Sequence, residues 1–222
     1  LNRSNGGKTK MIGAINERWP AGLCFIKERH SLKAPHDLQG ITIGGGQNSP
    51  VQAIVPAWLE RNGVAKEQVT MMQLDPSIIS ASLIEGEIDA GECWLGNSLA
   101  VYQKRAREAG LTIDWLQYSD FNLDIYGNGL LTSEKIILEN PDLVRRFVQA
   151  TYKGYDYADA YPQETTAMLI EHFPVLDRAV TLQQVKEIAE LRGDANNPGW
   201  MNVAKVTRTL KFIAGTYNVD ET

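Results

Sequence analysis

Residues 41–59 constrain the fold more than any other stretch, because a β-branched run, a cluster of glycines and an apolar periodic segment follow one another there. Residues 41–43 predict a short strand. Ser49 and Pro50 are typical of a helix start. Apolar side chains then recur at helical spacing, at Val51, Ile54, Val55, Trp58 and Leu59. A strand that leads through glycines into a helix places free amide groups where a ligand can approach.

The glycines at 44–46 do not match the known phosphate-binding patterns. Position 49 is serine, so the dinucleotide-binding spacing is broken, and no Lys-Ser or Lys-Thr pair follows the last glycine. A glycine turn that binds nothing therefore stays open as the alternative interpretation.

Two further strand–helix units follow, at 69–86 and 88–109, and another strand is predicted at 111–118. Strands that alternate with helices predict an α/β fold with a parallel sheet in residues 41–118. Ligands of such sheets bind beyond the carboxyl ends of the strands. We therefore expect residues 44–49, Asp75 and residues 94–97 to lie at one edge. A strand is expected at 125–131, and mainly helices are expected after residue 140, the last of them at 203–217.

Composition excludes several classes of protein. The chain has 222 residues, 43% hydrophobic and 22% charged, with a net charge of −5. An acidic chain without a basic run argues against nucleic acid as a partner. No Cys/His spacing indicates a metal site. Cys24 and Cys93 are the two cysteines; they could pair in an oxidising compartment, but two buried thiols are the favoured interpretation.

Four stretches together resemble a known family: WPAGLCFIK, SLKAPHDLQGITIGGG, IEGEIDAGECW, and the segment from NGLLTSEK to YADAYPQE. Their order is similar to that of periplasmic substrate-binding proteins of ABC importers, in the nitrate, sulfonate, taurine and thiamine-precursor group. The resemblance runs from about residue 8 to the end of the chain. It implies the type II periplasmic-binding-protein fold, in which two α/β lobes are joined by hinge crossings and enclose a small molecule.

The resemblance also implies a division of the chain. Residues 1–18 are expected to be a remnant of lobe one with the first hinge crossing, 19–125 a complete lobe two, and 126–222 the second crossing with the C-terminal helices of lobe one. Family members begin with strand–helix units that have no counterpart in residues 1–10, and the chain starts at Leu1 rather than Met. We therefore expect a processed or trimmed piece with an incomplete first lobe and possible self-association.

The expected ligand site combines the glycine loop, the end of the strand at 88–94 and the hinge crossings. Glu92 pairs with a ligand amine or is a satisfied strand carboxylate. Trp94 stacks on a planar ligand or belongs to the core, and Asn97 is either a contact or a helix cap. The predicted ligand-binding residues are Arg18, Trp19, Gly45, Gly46, Gln47, Asn48, Ser49, Glu92, Trp94, Asn97, Tyr126 and Asn128.

The implied function is extracytoplasmic binding of a small organic solute for ABC-type import, with the transporter permease as partner. The helix pair at 139–164 is most similar to the thiamine-precursor (pyrimidine) branch, and taurine, an alkanesulfonate or nitrate is the alternative ligand. The protein is expected in the periplasm or lipid-anchored at the cell surface. No catalytic motif, metal or cofactor is predicted. A pyrimidine-synthase-like enzyme, which shares the fold and works with pyridoxal phosphate, is the second alternative, although its cysteine-rich motif is missing.

Overall fold

A computed structural model describes residues 5–47, 49–193 and 197–219 of the chain. Strands and helices follow one another in these residues as β1 (Thr9–Ala14), β2 (Ala21–Ile26), β3 (Thr42–Gly46), α1 (Pro50–Arg61), β4 (Thr70–Leu74), α2 (Ile79–Glu85), β5 (Ala90–Trp94), α3 (Ser98–Glu108), β6 (Ile113–Gln117), β7 (Gly129–Ser133), α4 (Glu134–Glu139), α5 (Pro141–Ala160), α6 (Pro162–His172), α7 (Arg178–Leu191) and α8 (Val203–Tyr217). The predicted α/β class is confirmed. The chain forms two units, one of Leu1–Trp19 with Asp124–Thr222 and one of Pro20–Leu123.

The unit Pro20–Leu123 contains a five-stranded sheet in the order β4-β3-β5-β2-β6. β3 pairs in parallel with β4 and β5, as the helices between these strands predict. β2, which lies outside the residues 41–118 that are predicted to form a parallel sheet, pairs antiparallel with both β5 and β6. The connection from β2 to β3 contains the 3-10 turn Pro35–Leu38 instead of an α-helix. Without a helical crossover, nothing in that connection imposes a parallel direction on β2.

The core of this unit lies where α1 meets the end of β6. Trp58 and Tyr118 are completely buried, with ring centroids 4.7 Å apart. The Trp58 indole N–H donates to the carbonyl of Phe121 at 2.6 Å, so the one polar atom of the ring is satisfied. Each large apolar side chain buried in this way stabilises the fold by about 1.5–3 kcal/mol.

A disulfide joins β2 and β5 and corrects the expectation of two thiols. Cys24 and Cys93 have Cα atoms 5.8 Å apart, and both are completely buried. Cys24 lies opposite Gly91 and Cys93 lies opposite Gly22 on the paired strands. The two cysteines are 69 residues apart in the chain. Local sequence patterns do not show that β2 and β5 are neighbours, which is why the pairing was not predicted.

The other unit consists of a two-stranded antiparallel sheet, β1 with β7, and the helices α4–α8. The Tyr152 hydroxyl of α5 donates to the carbonyl of Ala14 at 2.7 Å and connects the helices to this sheet. The strand predicted at 125–131 is observed later, as β7. Tyr126 donates its amide to Thr209 Oγ1 and Gly127 donates to the carbonyl of Asn16, so these amides are used outside a strand ladder.

Helix α8 begins at the residue predicted from the sequence. The Asn202 side chain accepts a hydrogen bond from the amide of Lys205 at 3.2 Å and caps the first turn. Along the residues that the structure describes, none of the helices combines the length and apolarity needed to cross a membrane.

Candidate ligand-binding site

An open pocket of about 540 Å³ lies beyond the carboxyl ends of β3, β4 and β5, within the unit Pro20–Leu123. Its volume falls in the range typical of small-molecule sites. The pocket brings together several predicted site residues with side chains from α2 and α3. The residues lining it are Gly46, Gln47, Ser49, Pro76, Ser77, Ile79, Glu92, Trp94, Asn97, Ser98, Val101, Tyr102 and Arg105.

Glu92 organises this pocket through three hydrogen bonds that its carboxylate accepts. Oε2 accepts from the amide of Gly46 at 2.9 Å, and Oε1 accepts from Ser49 Oγ at 2.8 Å. Oε1 also accepts from the Trp94 indole N–H at 2.7 Å. Only 6% of the Glu92 surface is exposed. Of the two interpretations of Glu92, the arrangement therefore matches a satisfied carboxylate that connects the end of β3, the start of α1 and the ring of Trp94.

This arrangement determines the charge at the start of α1. A helix N-terminus attracts anions because its first amides are free and its dipole is positive there. The carboxylate of Glu92 already lies beside the helix start, where it accepts hydrogen bonds from the amide of Gly46 and from Ser49 Oγ. A second anion would be repelled by the first, so the start of α1 favours a neutral or cationic ligand group.

Trp94 is half-buried at the end of β5, and it lines the pocket. Its indole N–H is held by Glu92, and its amide donates to Ser98 Oγ at 3.0 Å. These two bonds orient the ring independently of any ligand. The structure therefore presents a fixed aromatic wall, which suits stacking on a planar ring.

The glycines at 45 and 46 allow the loop to pack closely against Glu92, besides leaving space for a ligand to approach. Gly45 is buried in β3, and a Cβ added there would lie 3.3 Å from Glu92 Oε2. Gly46 donates its amide to Glu92, while Gln47 is exposed beside the pocket and donates its amide to the carbonyl of Leu74. Asn48 lies outside the described residues. That the loop contacts a ligand stays a prediction.

One face of α3 contributes pocket residues that the sequence reasoning missed. Asn97 precedes this helix and lines the pocket, but its side chain accepts no hydrogen bond from the described first turn. Ser98, Tyr102 and Arg105 then follow on the same face. Burial, together with the negative charge of Glu92, raises the pKa of Tyr102 to about 12, so this hydroxyl is neutral at physiological pH. Helical spacing from Ser98 was the available signal.

The predicted hinge residues belong to the other unit. Arg18 is exposed and donates to the carbonyl of Glu190 at 3.3 Å, and Trp19 is half-buried. Tyr126 accepts a hydrogen bond from the amide of Asn202 at 2.8 Å and lines a smaller pocket of about 190 Å³. The Asn128 carbonyl accepts from the amides of Ile15 and Asn16. That these residues contact the ligand stays a prediction.

Chemically, the pocket offers an aromatic wall, hydroxyl groups, one satisfied carboxylate and one guanidinium. Among the residues that the structure describes, no group of three or more His, Cys, Asp or Glu side chains is placed to hold a metal ion. The arrangement can therefore hold an organic molecule by stacking and hydrogen bonding.

Comparison with known proteins supports the family resemblance. Residues 1–165 match the family model described as NMT1/THI5 like. The riboflavin-binding protein RibY of Chloroflexus aurantiacus is 28% identical over 177 residues, which cover 78% of this chain and 48% of that protein. The chain therefore spans about half the length of this relative.

Solved structures share the fold at low sequence identity. The periplasmic aliphatic sulphonate binding protein SsuA of Escherichia coli superposes with a TM-score of 0.76 at 13% identity, covering 98% of this chain and 70% of that one. The desulfurization enzyme DSZB superposes with a TM-score of 0.57 at 16% identity, covering 96% of this chain and 74% of its own. The predicted periplasmic-binding-protein fold is thus confirmed. Because the family model matches most of its length, the chain belongs to the NMT1/THI5-like family.

Proposed function

We propose that this protein binds a small planar organic solute outside the cytoplasm and delivers it to an ABC importer. The observation that carries the proposal is the orientation of Trp94, whose indole ring is fixed by Glu92 and lines a pocket of about 540 Å³. An aromatic wall that is oriented before the ligand arrives reduces the entropy that binding has to overcome. Stacking on such a ring contributes about 0.5–1.5 kcal/mol beyond the burial of area.

The charge distribution favours a planar ring over a compact anion. Glu92 lies at the start of α1, on Gly46 and Ser49, where a sulfonate or nitrate would otherwise be attracted. A ring that carries N–H or amino donors meets no such repulsion. RibY, named for binding riboflavin, provides a relative whose ligand is a planar ring. A thiamine-precursor pyrimidine or a related planar compound is therefore the ligand class that we propose.

Two other functions each have an observation in their favour. The fold of SsuA, named for binding aliphatic sulphonates, is matched over nearly the whole chain, which supports taurine or an alkanesulfonate as the alternative ligand. The same fold in DSZB, named as a desulfurization enzyme, supports an enzymatic alternative. Neither observation concerns the pocket residues of this chain, and for that reason we favour the planar ligand.

The disulfide of the unit Pro20–Leu123 supports a location outside the cytoplasm. Disulfides form and persist in oxidising compartments. The buried pair Cys24–Cys93 is thus consistent with a periplasmic or surface-anchored protein. We propose an ABC permease as the partner that receives the ligand, and we propose that the unit Pro20–Leu123 corresponds to lobe two of the two-lobed relatives.

Self-association is also part of the proposal. In the unit that contains the β1–β7 sheet, Leu131 is 67% exposed and Phe147 is 58% exposed, and both line one apolar depression. Contiguous exposed apolar surface marks interaction sites. A second copy of the chain is the occupant that we expect there.

A thermal-shift and calorimetric screen tests the proposed ligand class. The panel contains hydroxymethylpyrimidine, thiamine, riboflavin, taurine, an alkanesulfonate and nitrate, and each is also incubated with the protein and analysed for turnover. We expect a planar ring compound to raise the melting temperature and to be recovered unchanged. Tighter binding of taurine, alkanesulfonate or nitrate would replace the proposed ligand, and conversion of any compound would replace binding by catalysis.

A further inference from the structure

Arg105 is a cation in the pocket, and no acidic side chain of the described residues forms an ion pair with it. It lies on α3, lines the pocket, and donates from Nη1 to Ser80 Oγ at 2.5 Å. Across residues 5–47, 49–193 and 197–219, Arg105 takes part in no ion pair. A guanidinium has five N–H donors in a planar fork that fits carboxylate and phosphate groups. The bond to Ser80 orients this fork and occupies one donor.

The pocket extends along α3 from Trp94 to Arg105. The amide of Trp94 donates to Ser98 Oγ, which places the backbone of Trp94 at the first turn of the helix. Ser98 and Arg105 share a helix face and are separated by roughly 10 Å along the axis, at 1.5 Å per residue. The neutral hydroxyl of Tyr102 lies between them, close enough to sense the charges of both Glu92 and Arg105. The two ends of the pocket are therefore electrostatically opposite.

This polarity specifies what a complementary ligand looks like. A group at the Trp94 end meets an aromatic face and the Glu92 carboxylate, which disfavours a negative charge. A group at the α3 end meets an arginine whose charge is not compensated within the described chain. A molecule with a ring at one end and an anion at the other satisfies both ends.

We propose that the ligand is a planar heteroaromatic compound with a tethered acidic group, a phosphate ester or a carboxylate, and that Arg105 binds this acidic group. The inference rests on the proposed function, because it assumes that the ring lies against Trp94. It adds an anion subsite on α3, and it makes Arg105 the residue that distinguishes acidic ring compounds from neutral ones.

The alternative is that Arg105 is an ordinary solvated helix residue, since it is exposed. Arg107 provides the matched control for that possibility. It lies on the same helix, is exposed, carries the same charge and does not line the pocket. Any effect of charge on the whole protein appears equally in Arg105→Gln and Arg107→Gln, whereas a local effect appears only in Arg105→Gln.

Isothermal titration calorimetry with two matched pairs of compounds tests the inference. The pairs are riboflavin with its phosphate ester, and hydroxymethylpyrimidine with its phosphate ester, each titrated into the wild-type chain, Arg105→Gln and Arg107→Gln. Charge-assisted hydrogen bonds are roughly twice as strong as neutral ones. In the wild type we therefore expect at least one phosphate ester to bind about tenfold or more tightly than its neutral partner. We expect that ratio to fall to about one in Arg105→Gln and to persist in Arg107→Gln.

Each outcome decides between the claims. Equal binding of both members of a pair by the wild type contradicts the anion subsite but not the proposed function. An equal loss of preference in both variants shows that the effect is not local to Arg105 and also contradicts the subsite. If none of the ring compounds binds, the proposed function fails and the inference fails with it. Arg105→Lys, which keeps the charge but not the fork, retains part of the preference if the subsite exists and replaces Arg105→Gln if that variant does not fold.

Discussion

Replacing Glu92 by glutamine tests whether one carboxylate organises the pocket. The substitution Glu92→Gln keeps the size of the side chain but places an NH2 group where one oxygen was. In the native protein the two oxygens accept from Gly46, Ser49 and Trp94. If the remaining oxygen stays with Ser49 and Trp94, the new NH2 faces the amide of Gly46, and two donors then oppose each other in a buried position.

The expected loss of stability follows from these contacts. A buried donor left without an acceptor costs about 1–3 kcal/mol, and the two surviving hydrogen bonds weaken because their acceptor is no longer charged. We expect a total of about 3 kcal/mol. For a chain of this length, about 1 kcal/mol corresponds to roughly 2–4 °C, so the melting temperature should fall by roughly 6–12 °C.

Calorimetric melting of the wild type, Glu92→Gln and Glu87→Gln measures this effect at pH 7. Glu87 is exposed and forms no ion pair with any described residue, so its substitution removes the same charge and should stay within about 0.5 kcal/mol of the wild type. A melting temperature of Glu92→Gln that matches that of Glu87→Gln would refute the reasoning, because the three hydrogen bonds would then contribute nothing to stability.

Three further predictions concern other parts of the chain. Removing the disulfide by Cys24→Ala with Cys93→Ala should cost about 4 kcal/mol in urea unfolding, because the closed loop is long; thiols that label in the unreduced, denatured wild type would contradict the pairing. The hydrogen bond from Lys205 holds the pKa of Asp124 below its usual range, so the stabilisation is present above about pH 4 and is lost as pH falls through the lowered value. The free energy of unfolding of Asp124→Asn should thus be lower than that of the wild type by under about 1 kcal/mol at pH 7, and the two should be equal at low pH. An equal loss of stability at both pH values would contradict the ion pair. Self-association should appear in sedimentation and weaken in Phe147→Lys, whereas a monomeric wild type at all concentrations would contradict it.

Local signals in the sequence predicted the elements of the fold well. Helix α8 was predicted at 203–217 because its apolar periodicity is a local signal that lies within the helix itself. The strand ends that form the pocket were predicted to meet because parallel strands joined by helices have their carboxyl ends on one side.

Features that depend on distant residues were not predictable in this way. The antiparallel direction of β2 is determined by its pairing with β5 and β6, far away in the chain. The disulfide depends on the same pairing. Arg105 shares a helix face with Ser98, but it was missed because its place in the pocket also depends on how α3 lies beside Ser80 of α2. Glu92 was predicted as a site residue. The three groups that donate hydrogen bonds to its carboxylate could not be inferred, because they depend on the register of the sheet.

The affinity of Trp94→Ala for a planar ring ligand tests the central claim most directly. Titration calorimetry of the wild type and of this variant is performed with the tightest ring compound found in the screen, and Trp200→Ala, which removes a 75% exposed tryptophan from the other unit, is the control. The account predicts that Trp94→Ala weakens binding at least tenfold, about 1.4 kcal/mol, while Trp200→Ala leaves the affinity unchanged. Wild-type affinity in Trp94→Ala would contradict the account, because the ring would then not lie against the wall that Glu92 holds in place.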